Sequence, residues 1–447
     1  MSEMNEDIYA APGDVTGDAT YYVNGHDWDD VIAAQSERAD EIIVVNVGPV
    51  HPSTHGVMRF VVELDGETIQ AMRPGIGFLH TGIEKNMEYR SWTQGSAFVT
   101  RMNYVSGIHN EAVYSMAVDK LLGIEDQIPR RGQDLRVLQL EINRIANHLT
   151  ATGANCLELG ATSPQEVGLR ERERILEFVE AITGLRMNNA YIRPGGVQAD
   201  LPDDGIELLD QLIVDMKKNL HEIADYTLDS PIFKARLQGA GYLDLTGCTM
   251  MGATGPVLRA AGIPWDLRKT QPYLTYDQYD FDVCYENTCD SYARFKIRCD
   301  EMYQSIRIIE QVRDSLVETR GEPYRVEDER LRWPSDLTVG QDGQGNSNEH
   351  IKEIMGQSME ALIHHFKKVT QGFKVPAGQV YVAIEGPSGE LGMHVVSDGG
   401  TKPYRSHMRD PGFHHVQALP LMCEGGMLSD MIMAVASIDP VMGGVDR

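Results

Sequence analysis

Two histidines, His51 and His55, stand four residues apart in the segment GPVHPSTHG (48–56). Proline and glycine punctuate this stretch, so it reads as a loop. Imidazole can donate a hydrogen bond to a carbonyl and can deliver a proton near neutral pH. A histidine pair in a loop is more often a surface or hydrogen-bonding feature, so spacing alone does not choose. Tyr104, in RMNYVS (101–106), carries a phenol that stays protonated as a donor near neutral pH. A lone tyrosine otherwise reads as core packing with a satisfied hydroxyl. Glu158 and Arg101, taken singly, read as a helix-surface acid and a salt-bridge partner. Six cysteines (Cys156, Cys248, Cys284, Cys289, Cys299 and Cys423) include no CxxC pair. The spacing of Cys284 and Cys289 fits no zinc or cluster motif, so all six read as free thiols in a reducing compartment.

Other chemistries lack their signatures. There is no G-x-G-x-x-G after a strand, no P-loop, no H-E-x-x-H and no G-x-S-x-G. Nicotinamide binding, phosphoryl transfer and metalloprotease chemistry are therefore unsupported in this chain. The 447 residues carry a formal net charge of −26, which argues against nucleic acid as the main ligand. No run of apolar residues is long enough for a transmembrane helix, and the acidic start MSEMNEDIYAAPGDVTGDAT has no apolar signal region. Membrane association is expected only through partners.

The elements that must position these residues follow from periodicity. Residues 1–40 carry many acids and few aliphatics, and read as a flexible arm; residues 41–447 read as the structured unit. EIIVVNV (41–47) and VMRFVVEL (57–64) are strand-like, and Asp65-Gly66 is a hairpin signal. Apolar spacing of i, i+3, i+4 predicts helices over 109–122, 133–157, 163–183 and 204–225. Ser163 is the expected N-cap of the third, with Pro164 and Glu166 behind it and Gly184 closing its far end. Further helices are expected over 288–318, 349–370 and 425–437, with strands and glycine-rich turns over 378–408. This is an α+β fold with a central helical bundle and β elements near the N-terminus and in the C-terminal third.

Six stretches together carry a resemblance: GPVHPSTHGVMRF (48–60), LHTGIEKNMEYR (79–90), RMNYVSG (101–107), AYIRPGGV (190–197), WDLRKTQPY (265–273) and SIDPVMGGVDR (437–447). They resemble the 49-kDa subunit family of respiratory complex I, over about residue 41 to the last residue. That family is similar to hydrogenase large subunits, in which RxCxxC and DPCxxC thiolates hold nickel and iron. Here Asn103, Ser106, Val441 and Gly444 stand at those four positions. Such a metal needs soft thiolate ligands, so this chain is expected to hold none.

The resemblance implies a subunit of a proton-pumping NADH:quinone oxidoreductase, peripheral on the cytoplasmic side of the cell membrane. Its implied partners are the small subunit carrying the terminal [4Fe-4S] cluster, the 30-kDa-type subunit and the membrane subunit at the quinone entrance. Quinone is the substrate, and no cofactor is held by this chain alone. The alternatives are a non-catalytic scaffold joining the hydrophilic and membrane arms, or a related complex with a different electron donor.

By the same resemblance, His55 and Tyr104 flank the quinone headgroup, with His51 in the same site as a loop-organising residue. Glu158 stands where many members have aspartate; it would orient His55 and take part in proton movement, on an arm one methylene longer. Arg101 aligns with an arginine that faces the cluster, where a cation would stabilise the reduced state. Asn188 replaces a cluster-facing histidine. An amide does not titrate there, so a lower and less pH-dependent potential is expected, favouring menaquinone over ubiquinone. Thr81 occupies a position that is arginine in many relatives. The EGPSG turn (385–389) reads as structural, and the Met-rich stretch 422–442 as core.

Overall fold

The computed structural model describes residues 42–328, Leu331 and 371–447, together with Gly356, Met359, Ile363, Phe366, Lys367 and Thr370. The acidic arm expected over 1–40 lies outside the described residues. So does most of the helix expected over 349–370, of which the six described positions are helical.

The described chain opens with an antiparallel sheet in the order β1 (Ile43–Val47), β2 (Arg59–Asp65), β3 (Thr68–Gly75). Phe60, Val62 and Leu64 alternate along β2 and are all buried, as a strand with one covered face requires. Gly66, at φ 60, makes the turn into β3 that Asp65-Gly66 announced.

Helices α1 (Ile83–Tyr89), α2 (Trp92–Val99), α3 (Gly107–Leu122), α4 (Arg130–Glu158), α5 (Thr162–Thr183) and α6 (Gly205–Thr227) follow, and α7 (Ser291–Glu318) comes after several short helices. The 29 residues of α4 span about 43 Å at 1.5 Å per residue. It packs between α5 and α7. Its apolar side chains, among them Leu135, Leu138, Ile142, Ile145 and Leu149, are buried. One expectation fails locally. Ser163 does not cap α5; the helix begins at Thr162, with Ala161 at the N-cap position and no side-chain cap. The reason is the sharp exit from α4, where the Ala161 amide donates to the Cys156 carbonyl at 2.9 Å and sets the N-cap position two residues early. Gly184 closes α5 in the left-handed region at φ 80, as expected.

A second antiparallel sheet, β4 (Gly378–Gly386), β5 (Gly389–Ser397) and β6 (Arg405–Arg409), packs on α3. Helices α8 (Pro411–Gln417), α9 (Leu428–Ser437) and α10 (Met442–Asp446) end the chain. The result is the α+β arrangement expected, rich in helix with small sheets towards either end.

Two features of packing bear on function. The first sheet shares its core with the last third of the chain: Phe60, Val62, Ile69 and Met72 pack with Leu419, Met431, Val435, Ile438, Met442 and Val445. Met422, Met431 and Met442 are buried there and Met433 in the main helical core, so these methionines are core; Met427 is the exposed one among them. Beneath this lies a buried network of charge. Arg259 bridges Glu385, at 2.7 Å, and Glu301; Arg268 bridges Asp266 at 2.7 Å and Glu141 at 3.2 Å. His148 meets Glu301 at 2.8 Å. Each of these charges has an opposite partner, without which burial would be costly.

Candidate functional site

Four segments converge because the first sheet docks on the C-terminal helices. They are the loop 48–56, the turn 101–106, the C-terminal end of α4 and the residues that lead into α10. The short helical turn Pro52–Thr54 of the loop packs directly against α9.

The loop is built by its own side chains. Buried Thr54 donates through Oγ1 to the carbonyls of Pro49 (3.1 Å) and His51 (2.9 Å). The His51 ring accepts the Ser53 amide at 3.2 Å. His51 thus makes one local bond within the loop, and its surface is exposed. Ser53 Oγ donates to Glu158 Oε2 at 2.6 Å, which ties the loop to the last residue of α4. The sequence brought Glu158 to His55; the structure adds Ser53 as its direct partner.

His55 follows in the left-handed region at φ 54, with Gly56 at φ 76 behind it. A non-glycine residue there is uncommon. His55 keeps an exposed surface, yet the protein packed around the ring lowers its pKa below the ordinary histidine value. The carboxylates of Asp439 and Glu158 pull the other way. The balance leaves the imidazole neutral at pH 7, able to donate one hydrogen bond, with two carboxylates beside it to stabilise a proton that arrives later.

Tyr104 is 39% exposed, so its ring is reachable from outside. Burial of the rest, and then the charge of Asp439, raise its pKa above the ordinary phenol value and keep it a donor. Its position depends on Gly443. A Cβ at Gly443 would fall 2.9 Å from Tyr104 Cδ1 and onto the Met102 carbonyl oxygen, so only glycine lets α10 lie this close.

Asp439 therefore acts electrostatically on both His55 and Tyr104, and sequence reasoning passed over it. Its Oδ2 accepts Asn147 Nδ2 at 2.8 Å and Ser388 Oγ at 3.1 Å. Ser388 lies in the EGPSG turn, so that turn also aims a carboxylate. The turn is the two-residue hairpin expected, with Gly386 paired to Gly389. Asp439 too lies in the left-handed region, at φ 51. His55 and Asp439 are thus both non-glycine residues held at positive φ. Strained backbone of this kind persists where the surroundings over-determine it.

The four positions compared with thiolate ligands are filled by protein groups. Asn103 Oδ1 accepts the Ser106 amide at 3.1 Å, Val441 is buried, and Gly444 abuts the buried carboxyl of Asp410. Among the described residues no cluster of three or more His, Cys, Asp or Glu side chains is placed to hold a metal ion.

Two expected residues lie apart from His55 and Tyr104 in their contacts. Arg101 is exposed, and its guanidinium turns back to the Ala97 carbonyl and to Thr100 Oγ1. No carboxylate among the described residues forms an ion pair with it. Asn188 is half-buried in the segment before a clamp in which buried Glu111 accepts the amides of Ala190 (2.7 Å), Tyr191 (2.8 Å) and Ile192 (3.1 Å). Even so, desolvation raises the Glu111 pKa to about 7. Thr81 is exposed and its carbonyl accepts Asn86 Nδ2 at 3.3 Å.

Residues 158–447 match the family described as the 49-kDa subunit of respiratory-chain NADH dehydrogenase. Similar curated proteins share the whole length. An NADH-quinone oxidoreductase subunit from Cutibacterium acnes is 63% identical, covering 96% of this chain and 99% of its own. An NADH-quinone oxidoreductase subunit from Streptomyces coelicolor is 58% identical, covering 98% and 99%. Another, from a Nocardioides species, is 56% identical, covering 99% and 100%.

Proposed function

The chain belongs to the family of the 49-kDa subunit of respiratory-chain NADH dehydrogenase, and on that footing we propose that it forms the quinone headgroup site of an NADH-quinone oxidoreductase. The observation that carries this reading is the placement of Asp439, which bears on both the His55 imidazole and the Tyr104 phenol. Two donors of different strength share one carboxylate at the meeting point of four segments. A quinone has two carbonyl oxygens, and each needs a hydrogen bond and then a proton as it is reduced.

Tyr104 donates to one oxygen and His55 to the other. Negative charge building on the headgroup raises the proton affinity of the imidazole, with Glu158 and Asp439 supporting the charged form. His51 and Ser53 hold the loop in place. The electrons come from NADH through flavin and clusters on other chains. They arrive from a [4Fe-4S] cluster on the adjoining small subunit, with Arg101 and Asn188 facing it. Because the Asn188 amide does not titrate, the low-potential menaquinone is the proposed substrate.

The assembly pumps protons and lies at the cell membrane, with this chain peripheral on the cytoplasmic side. Its neighbours are the small cluster-bearing subunit, a 30-kDa-type subunit and the membrane subunit at the quinone entrance. Among the described residues no helix is long and apolar enough to cross a membrane, which supports attachment through those partners.

Tyr104→Phe tests the reading in the assembled complex. It removes one hydroxyl and should lower NADH-driven quinone reduction about a hundredfold, at the lower end of what one proton-transferring group supplies. NADH-to-ferricyanide transfer, which bypasses the site, should stay at the parent rate. Equal loss of both activities would trace the defect to assembly and remove the support for this site.

A further inference from the structure

We propose that Asp410 is a proton-holding residue of the same site, relaying its proton through Asp439 towards Tyr104. This rests on the quinone-site reading above. Asp410 is buried at the start of α8, where its Oδ1 accepts the Gly412 amide at 2.8 Å. Its other oxygen, Oδ2, has no hydrogen-bond partner among the described residues. A buried carboxylate oxygen left unpaired is costly, and a protonated carboxyl or a bridging water relieves that cost.

The geometry places this group beside the site. A Cβ at Gly444 would fall onto Asp410 Oδ2, and a Cβ at the adjacent Gly443 would meet the Tyr104 ring. Consecutive Cα atoms are only about 3.8 Å apart. Asp410 and Tyr104 therefore both rest on the Gly443–Gly444 step of α10.

The surrounding charges do not clamp Asp410 in its ionised form. Arg409 and Arg447 favour ionisation. Arg409, however, is engaged by Glu390 at 3.5 Å and by the Glu390 carbonyl at 2.7 Å. Arg447 reaches Glu84 at 4.0 Å and the Met408 carbonyl at 2.9 Å. Neither forms an ion pair with Asp410. Asp439 opposes ionisation, and on α8 itself burial keeps His414 and His415 below the ordinary histidine pKa. Desolvation is the largest influence, and the Asp410 pKa is pushed up to about 6.

The proton count closes. Reduction of quinone to quinol takes two electrons, from NADH through the complex, and two protons. At one oxygen the phenol O–H of Tyr104 breaks and a quinol O–H forms. Asp410 gives its proton to the Asp439 carboxylate, directly or over one water, and Asp439 passes it to the Tyr104 phenolate. Asp410 is left as a carboxylate and regains a proton from solvent before the next turnover. The second proton enters from solvent by way of exposed His55.

The test follows NADH-driven quinone reduction between roughly pH 5 and 8 in membranes carrying the intact complex. Asp410→Asn and Asp410→Ser both keep an N-cap acceptor and remove the titrating group. Each should lower kcat about fivefold or more, erase an inflection near pH 6 and leave the quinone KM and NADH-to-ferricyanide transfer unchanged. Asp410→Ser combined with Gly444→Asp returns a carboxyl to the same space from α10, and should recover at least half of the lost kcat together with the inflection. An unchanged kcat and pH profile in the single variants overturns the proposal, as does a double variant that assembles fully and recovers nothing. Should Asp410→Ser fail to assemble, the near-isosteric Asp410→Asn carries the comparison alone. Tyr104→Phe is run in parallel. If it depresses quinone reduction while the Asp410 variants do not, only the relay fails; if it too is silent, the quinone-site reading fails.

Discussion

On the proposed quinone-site reading, Asp439 is the carboxylate whose charge bears on both donors, His55 and Tyr104. Asp439→Asn keeps an oxygen that can accept from Asn147 and Ser388, so the fold should hold. It removes the charge that raises the pKa of both His55 and Tyr104. Quinone turnover should fall about tenfold, the equivalent of about one pKa unit in the donors, with kcat losing more than KM changes; steady-state kinetics at the parent kcat would reduce Asp439 to a spacer. Asp410 makes a separate prediction about stability. Its folded pKa, about 6, lies above the value near 3.9 of an unfolded aspartate. Between about pH 4 and 6 the folded state therefore binds more protons, so stability falls as pH rises through that window and is flat above it. Asp410→Asn should abolish that fall and raise stability at neutral pH by on the order of 3 kcal/mol; thermal unfolding at several pH values measures it. His55 and Tyr104 were singled out because each sits in a long motif, and Glu158 because it stands at a position that is aspartate in many relatives. Asp439 was passed over although it lies in the motif 437–447, and Asp410 lies in none, since an acid before a proline or at a helix start reads first as turn and cap chemistry.

Between elements, α10 approaches the turn after α2 closely at Gly443. Helix propensity alone makes Gly443→Ala favourable by about 1 kcal/mol. The new methyl would meet the Met102 carbonyl and the Tyr104 ring, and overpacking of that kind costs about 1–3 kcal/mol. The contact should win. Gly443→Ala should lower the melting temperature and displace Tyr104, so that quinone reduction drops while NADH-to-ferricyanide transfer persists. A variant as stable and active as the parent would show that α10 can retreat freely. At this scale the sequence was most readable where periodicity was strong: α3 to α7 and the 378–408 hairpins fall within a few residues of expectation. It failed at the start of α5, where a backbone bond from Ala161 to Cys156 outweighed the apparent cap at Ser163. Local capping rules cannot foresee a bond made by the preceding helix.

Over the whole molecule, the least legible feature was which apolar faces meet. The alternation in β2 announces a buried face but does not say that its cover comes from the last thirty or so residues. The buried pairs of Arg259 and Arg268 were equally silent, because their partners come from distant parts of the chain. The shared core has a consequence on the ribosome. More than three hundred residues separate Met72 from Leu419, its partner in that core. At about 5–20 residues per second, the first sheet waits roughly 20–70 s for its cover to be synthesised. Nascent chains stalled before residue 411 should show β1 to β3 cut readily by protease, and chains released at full length should not. Protection in the stalled chains would mean that something else, such as a chaperone or a sister subunit, already holds the first sheet during translation.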